Sequence, residues 1–375
     1  MTISPGEIRV REGALLALRL FDVAYAIDLH RVEALWAQNR STGSARARLS
    51  TTPAKAVAYD VPPVNLMLEP ASIALDATSV AATVTARVYD FGVVVLELRV
   101  DARDCSWPEY ARRLDALDRA VGAESGTTLW SERLRALCEL LLPAFTRPSS
   151  AKLAEDYLIA LVKEWSAPMT TAEIERDLDL APILSGEARA LSEGARRDLL
   201  RQRYSYYPDD LAILTWDRAF ICEPRGDSDV IDVLEVANAQ LLELRWYDEL
   251  LDDELPRMYD LVEETRRGVS SFMPGRFAEL ARKLYHLVAE VTELREKVDN
   301  ALQVTEDVYL ARIYAAALDL FRVPTVGAAV DRKLAIIRDT YAALFDEASG
   351  SRAELLELTI IVLIVVEIVL ALVRH

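Results

Sequence analysis

The sequence predicts an α+β protein with three parts: an N-terminal ferredoxin-like α+β head, a long C-terminal antiparallel helical hairpin or stalk, and a C-terminal transmembrane helix. Three observations lead to this prediction. Strand-like and helical segments alternate in 1–225, apolar residues recur at heptad spacing in 229–348, and 355–373 is almost wholly apolar. These three ranges are the predicted head domain, coiled-coil-like stalk domain and transmembrane anchor.

The first part of the head is predicted from the order of its segments. An apolar strand is followed by a short helix, two β-branched runs, two amphipathic helices and a further strand. Gly92 suits the turn between the two β-branched runs because glycine readily adopts positive φ. The segments are Ala14–Leu29, His30–Gln38, Ser79–Val100, Trp107–Val121, Thr128–Leu142 and Asp156–Trp165. A βαββαβ order with one extra helix is ferredoxin-like in outline.

The following stretch is predicted to complete the head. Helical patterns occupy Ala172–Leu180 and Glu187–Gln202, and the apolar run Leu211–Cys222 predicts a strand or a hairpin. The glycines of this stretch lie in no phosphate-binding motif, and the sequence predicts no cofactor.

The stalk is predicted from heptad spacing. Steps of alternately four and three residues from Val230 meet apolar residues at nine of ten positions, and the same count from Phe277 gives eight of eight. Glycine and proline in Arg267–Gly275 favour a turn, so the two arms are predicted to form an antiparallel hairpin. Two further helices are predicted at Thr305–Phe321 and Val330–Glu347.

The C-terminal run Leu355–Val373 contains 16 apolar residues among 19, which is long enough for a helix to cross a bilayer. Its position predicts a tail anchor with the N-terminal body in the cytoplasm. Glu357 can lie at the near interface. Glu367 falls inside the run and either meets a partner or snorkels to the far interface. Burial of the helix in a soluble oligomer is the remaining alternative.

Composition restricts the classes of function. Asp and Glu total 60 against 43 Lys and Arg, and the net charge of −17 disfavours nucleic-acid binding, except through ribosomes. The three cysteines are widely spaced and suggest core thiols in a reducing compartment. The three histidines are far apart and have no ligand-spaced partner, so no metal site and no catalytic residue is predicted. A non-enzymatic protein is favoured.

One basic and aromatic stretch is a candidate partner or RNA surface, since cations and aromatic rings alternate on some nucleic-acid-binding surfaces. Its residues are Arg196, Arg197, Arg201, Arg203, Tyr204, Tyr206 and Tyr207. The competing interpretation is a basic helix C-terminus followed by core tyrosines.

Four stretches, 88–95, 205–216, 239–248 and 355–368, resemble the family of membrane-anchored proteins required for meiotic nuclear division, called YagE-like in bacteria. The resemblance implies a self-associating membrane protein without established catalytic activity. In mitochondrial relatives it implies a scaffold for organellar translation. Because this sequence has no mitochondrial presequence, a bacterial inner membrane is the setting that fits the resemblance best. The family supplies no catalytic residues.

The leading functional hypothesis is therefore a tail-anchored, homo-oligomeric scaffold that holds an unidentified protein partner near the membrane. One alternative is an enzyme or a small-ligand or nucleotide-binding regulator with a pocket in the head. Another alternative is a membrane tether for ribosomes or RNA.

Overall fold

The chain divides into two compact units in the computed structural model. The first unit comprises Met1–Glu243 and Lys297–Pro324, and the second comprises Leu244–Glu296 and Thr325–His375. The structure describes residues 8–39, 44–46, 57–59, 61–76, 78–149, 153–187, 189–226, 229–267, 279, 282–283, 285–293, 296, 302–304, 308–340, 342–343 and 360–364. The domain boundaries drawn from the sequence remain predictions.

The strands are numbered in chain order. They are β1 Arg9–Asp22, β2 Ala24–Ile27, β3 Ser44–Arg46, β4 Val57–Tyr59, β5 Val64–Met67, β6 Ala71–Leu75, β7 Thr78–Val88, β8 Val93–Ser106, β9 Phe145–Pro148, β10 Ala154–Trp165, β11 Arg203–Tyr204, β12 Leu211–Leu214, β13 Arg218–Cys222 and β14 Leu302–Val304.

The helices are numbered in the same way. They are α1 Leu29–Asn39, α2 Trp107–Val121, α3 Leu129–Leu141, α4 Thr171–Asp177, α5 Ala181–Ser185, α6 Glu193–Leu199, α7 Asp229–Arg267, α8 Val308–Leu320 and α9 Val323–Thr340. The predicted turn at 267–275 lies outside the described residues except for Arg267, which ends α7. About half of the second heptad arm is described, and its described residues, 279, 282–283, 285–293 and 296, are helical.

A large mixed sheet organises the first unit and confirms the predicted α+β class. Its strand order is β11-β12-β13-β10-β1-β8-β7-β5-β3, with β6 paired to β7. Neighbouring strands are antiparallel except β10 and β13, which are parallel. The strand β1 lies at the centre, pairing with β8 from Arg9 to Asp22 and with β10 from Val10 to Phe21. Its run of apolar residues fits burial on both faces.

Several predicted elements of the head are confirmed. The β7–β8 hairpin turns at 89–92, α2 has its predicted bounds, and Leu211–Cys222 is the hairpin of β12 and β13. The helix expected at Glu187–Gln202 is shorter in the structure, where it is α6. Gly186 ends α5 in the left-handed conformation before α6 begins.

Helices α1, α2 and α3 cover one face of the sheet. Their apolar residues, among them Trp36, Leu114 and Leu137, join a buried cluster with alternate residues of the central strands. The hydroxyl of the fully buried Tyr110 on α2 lies 3.0 Å from the carbonyl oxygen of Ala14 and 2.9 Å from that of Leu161. This contact fixes α2 where β1 meets β10.

The N-terminal part of α7 packs on the opposite face through ionisable side chains. The Arg87 guanidinium on β7 lies 2.5 Å from the Asp232 carboxylate and 3.2 Å from that of Glu235, and the Tyr89 hydroxyl donates to Glu235 at 2.7 Å. Asp232 and Glu235 have side chains only 4% and 1% exposed. Burial raises the pKa of Glu235 from its ordinary value of 4.5 to about 7.

The second unit contains a smaller ionic cluster. The Lys333 ammonium group on α9 lies 2.6 Å from the Asp248 carboxylate and 2.6 Å from that of Asp252, both on α7. α7 continues through Pro256.

Glu235 is expected to make stability depend on pH. Its raised pKa means that the folded protein holds this proton between about pH 5 and 7, where the unfolded chain has lost it, so stability falls as pH rises through this window. In Glu235→Gln, the free energy of unfolding should fall less between pH 5 and 8 than in the wild type, by roughly 2 kcal/mol.

Denaturant titrations at several pH values would measure this difference. Glu249→Gln, on an exposed part of the same helix, should keep the wild-type slope. Asp22, whose pKa burial raises to about 6, titrates in all three proteins and cancels from the comparison. Equal slopes in the wild type and Glu235→Gln would contradict the assignment.

A second prediction concerns Gly92, which adopts a φ of 101° in the β7–β8 turn. An added Cβ would overlap the carbonyl oxygen of Ala24. Gly92→Ala should lower the free energy of unfolding by more than about 2 kcal/mol. Gly194→Ala is the control, because open space surrounds Gly194 within α6 and alanine favours a helix. Equal stability of the two variants would show that the turn tolerates another conformation.

Candidate functional site

The arginine-rich stretch found in the sequence forms an open groove of about 400 Å³ on the first unit. The stretch lies on α6, on the loop after it and on β11. The lining residues are Glu193, Arg196, Arg197, Leu200, Arg201 and Arg203. Four of the six therefore carry a guanidinium group, and one carries a carboxylate.

Local hydrogen bonds bring these arginines together. The Ser192 hydroxyl caps α6 by accepting from the Ala195 N–H. After the helix, the Arg201 N–H donates to the Asp198 carbonyl and the Arg203 N–H to the Arg201 carbonyl, each at 3.2 Å. The chain then enters β11, which pairs with β12.

Two of the arginines are neutralised by acids of the preceding segment. Arg196 pairs with Asp179 at 2.8 Å, and Arg203 lies 3.6 Å from the carboxylate of Glu175 on α4. Arg197 and Arg201 make no ion pair with any residue that the structure describes. Their guanidinium groups are therefore available to an external anion.

Buried Arg218 fixes the segment that precedes α6. Its guanidinium lies 2.5 Å from the carboxylate of Asp118 and 3.1 Å from that of Asp115, both on α2, and it packs against Gly186 at the end of α5. The side chain is only 5% exposed. In the sequence Arg218 lies within an apolar strand run and its role is not evident, although a lone arginine in such a run is a signal for a buried ion pair.

The predicted tyrosines lie beside the groove and do not line it. Tyr206 and Tyr207 are 66% and 40% exposed, and their backbone N–H groups donate to the carboxylate of buried Asp210. Arginines from outside the cluster contact the rings: Arg225 lies 4.6 Å from the centre of Tyr207, and Arg312 lies 5.7 Å from that of Tyr204. The arginines that line the groove and the tyrosine rings beside it are therefore two separate features of the structure.

The described cysteines fit the core thiols predicted from the sequence. Cys105 and Cys222 are buried, and the Trp165 indole N–H lies 3.3 Å from the Cys222 sulfur. Burial raises the pKa of Cys138 to about 11 and that of Cys222 to about 12, so these thiols stay protonated and unreactive at neutral pH. Within the described ranges, no group of three or more His, Cys, Asp or Glu residues is placed to hold a metal ion.

The C-terminal predictions fall largely outside the described residues. Glu357 and Glu367 both lie there, whereas 360–364 is helical and has apolar side chains that are at least half exposed. Of the helices that the structure describes, none alone has the length and hydropathy of a membrane span. The interrupted pair of α8 and α9 meets that criterion only when taken together.

Comparison with known proteins corrects the resemblance drawn from the sequence. The family model that matches, over residues 12–229, is described as uncharacterized protein MJ0711, N-terminal domain. Kinship with the YagE-like family of proteins required for meiotic nuclear division is therefore wrong. Short apolar and aromatic stretches suggested it, and its most specific stretch, 355–368, lies beyond the matched residues.

A curated relative supports the same family assignment. Uncharacterized protein MJ0711 of Methanocaldococcus jannaschii is 26% identical over 224 residues, which cover 60% of this chain and 67% of the relative. No solved structure matches the chain. The matched residues include the whole arginine groove. Because 12–229 is more than half of the sequence, the chain belongs to the family of the MJ0711 N-terminal domain.

Proposed function

We propose that the protein is a non-catalytic, tail-anchored and self-associating scaffold that holds a partner near a membrane. One observation carries the proposal: the apolar side chains of 360–364, in the middle of the apolar run Leu355–Val373, lie on a helix and are at least half exposed. Exposed apolar residues in such a continuous run need a lipid or protein environment.

The proposal places the head, stalk and anchor in series. In the order β10-β1-β8-β7 each strand is antiparallel to its neighbour, and this order is that of a ferredoxin-like core, which supports a ferredoxin-like head. The long helix α7 and the helical residues of 285–293 support a two-armed stalk. The head then lies on the cytoplasmic side of the membrane.

A small-ligand-binding regulator is the second candidate function, and the arginine groove favours it. The lining residues include no serine, cysteine or histidine, which favours binding over catalysis. An RNA or ribosome tether is supported less, because no aromatic ring lines the groove to stack on a base.

The anchor is tested by fractionation. The full chain should remain in the membrane pellet after alkaline carbonate extraction, whereas a chain ending at Gly350 should become soluble. Leu363→Arg places a charge in the apolar run at a cost of about 3 kcal/mol and should reduce insertion, while Leu363→Ala should not. Equal solubility of the full and shortened chains would rule out the anchor.

Self-association through the anchor predicts a role for Glu367. A carboxyl group paired between helices stabilises their contact by about 1 kcal/mol, so Glu367→Ala should reduce the crosslinked dimer in membranes about fivefold. Val366→Ala, which trims the adjacent apolar residue, is the control. A monomeric pattern for the full chain would contradict self-association, and unchanged dimer in Glu367→Ala would leave snorkelling as the role of this carboxylate.

A further inference from the structure

We propose that the arginine groove is a binding site for a small phosphorylated solute, whose phosphate group is held by Arg197 and Arg201. The site lies in the head and does not depend on the membrane anchor, so each proposal can fail without the other.

Charge is the first argument. Four guanidinium groups and one carboxylate line a single open groove in a chain whose net charge is −17. Like charges held close together repel each other unless an anion compensates them. Acids of the fold compensate Arg196 and Arg203 but leave Arg197 and Arg201 without an ion pair among the described residues. An external anion supplies the missing charge.

Geometry is the second argument. Arg197 lies in the last turn of α6 and Arg201 lies in the loop that follows the helix, and both side chains line the same groove. The planar guanidinium group donates two parallel hydrogen bonds to phosphate oxygens, which makes arginine well suited to phosphate. The pairs Arg196–Asp179 and Arg203–Glu175 hold the flanking side chains in place, so the groove is organised before an anion arrives.

Size and lining define the class of ligand. A volume of about 400 Å³ lies in the range of small-molecule sites. Leu200 offers one apolar contact in the groove, and Glu193 disfavours a ligand with negative charge along its whole length. A strand of RNA would instead need a continuous positive track and stacking rings, and the nearby tyrosine rings contact Arg225 and Arg312. A solute with one phosphate or pyrophosphate group at one end fits this arrangement.

The test measures pyrophosphate binding to the full chain by titration calorimetry at constant ionic strength. The wild type should bind saturably, and the double variant Arg197→Gln/Arg201→Gln should bind at least about tenfold more weakly, because each arginine loses charged hydrogen bonds. The control double variant Arg31→Gln/Arg135→Gln removes the same charge from exposed sites on α1 and α3 and should bind within about twofold of the wild type.

Three results would overturn the proposal. The first is the absence of saturable pyrophosphate binding to the wild type. The second is equal weakening in both double variants, which would show a general charge effect. The third is tighter binding of a single-stranded RNA oligonucleotide than of pyrophosphate, together with weaker RNA binding by Arg197→Gln/Arg201→Gln. This result would assign the groove to RNA. Thermal unfolding of each variant checks that the fold is retained.

Discussion

The first unit depends on the burial of β1 on both faces. This strand pairs along almost its whole length with β8 on one side and β10 on the other, and Leu15 and Leu16, which point to opposite faces, are both essentially inaccessible. Two helical layers are therefore required, one on each face. Helices α1 to α3 supply the first layer, and the start of α7 contributes to the second. The groove forms at one end of this sheet, beyond β12.

The two helical layers differ in the placement of their polar contacts. The α2 layer is mostly apolar, and it contacts the sheet through the Tyr110 hydroxyl and through the ion pairs of Asp115 and Asp118 with Arg218 of β13. The α7 layer places Asp232 and Glu235 against a single arginine, Arg87. Buried charges need well-placed partners, so the ionic contacts of both layers restrict their packing more than apolar contacts do. In the α7 layer, the contact with Arg87 also links the packing of the start of α7 to the protonation state of Glu235.

The sequence predicts the local parts of this fold better than its long-range contacts. The β7–β8 hairpin was predictable because Gly92 and two β-branched runs are local signals. The short strands β5 and β6 were missed, since pairing with β7 and not their own composition defines them. The arginine stretch was visible in the sequence. The pairing of Arg196 with Asp179 was not, because it depends on tertiary contacts, and such pairs decide which arginines stay available to a ligand. The start of α7 showed heptad spacing, yet its acids Asp232 and Glu235 are buried against the sheet.

The shortness of β11 has a consequence for how other molecules approach this end of the sheet. β11 contains only Arg203 and Tyr204, and among the described residues it is the last strand on that side. An edge of two residues offers almost no backbone for another chain to extend, and a charged residue on it discourages such pairing further. Recruitment by strand addition is therefore disfavoured here. Whatever binds at this edge is selected by side chains, which keeps the sheet from polymerising while leaving the arginines open.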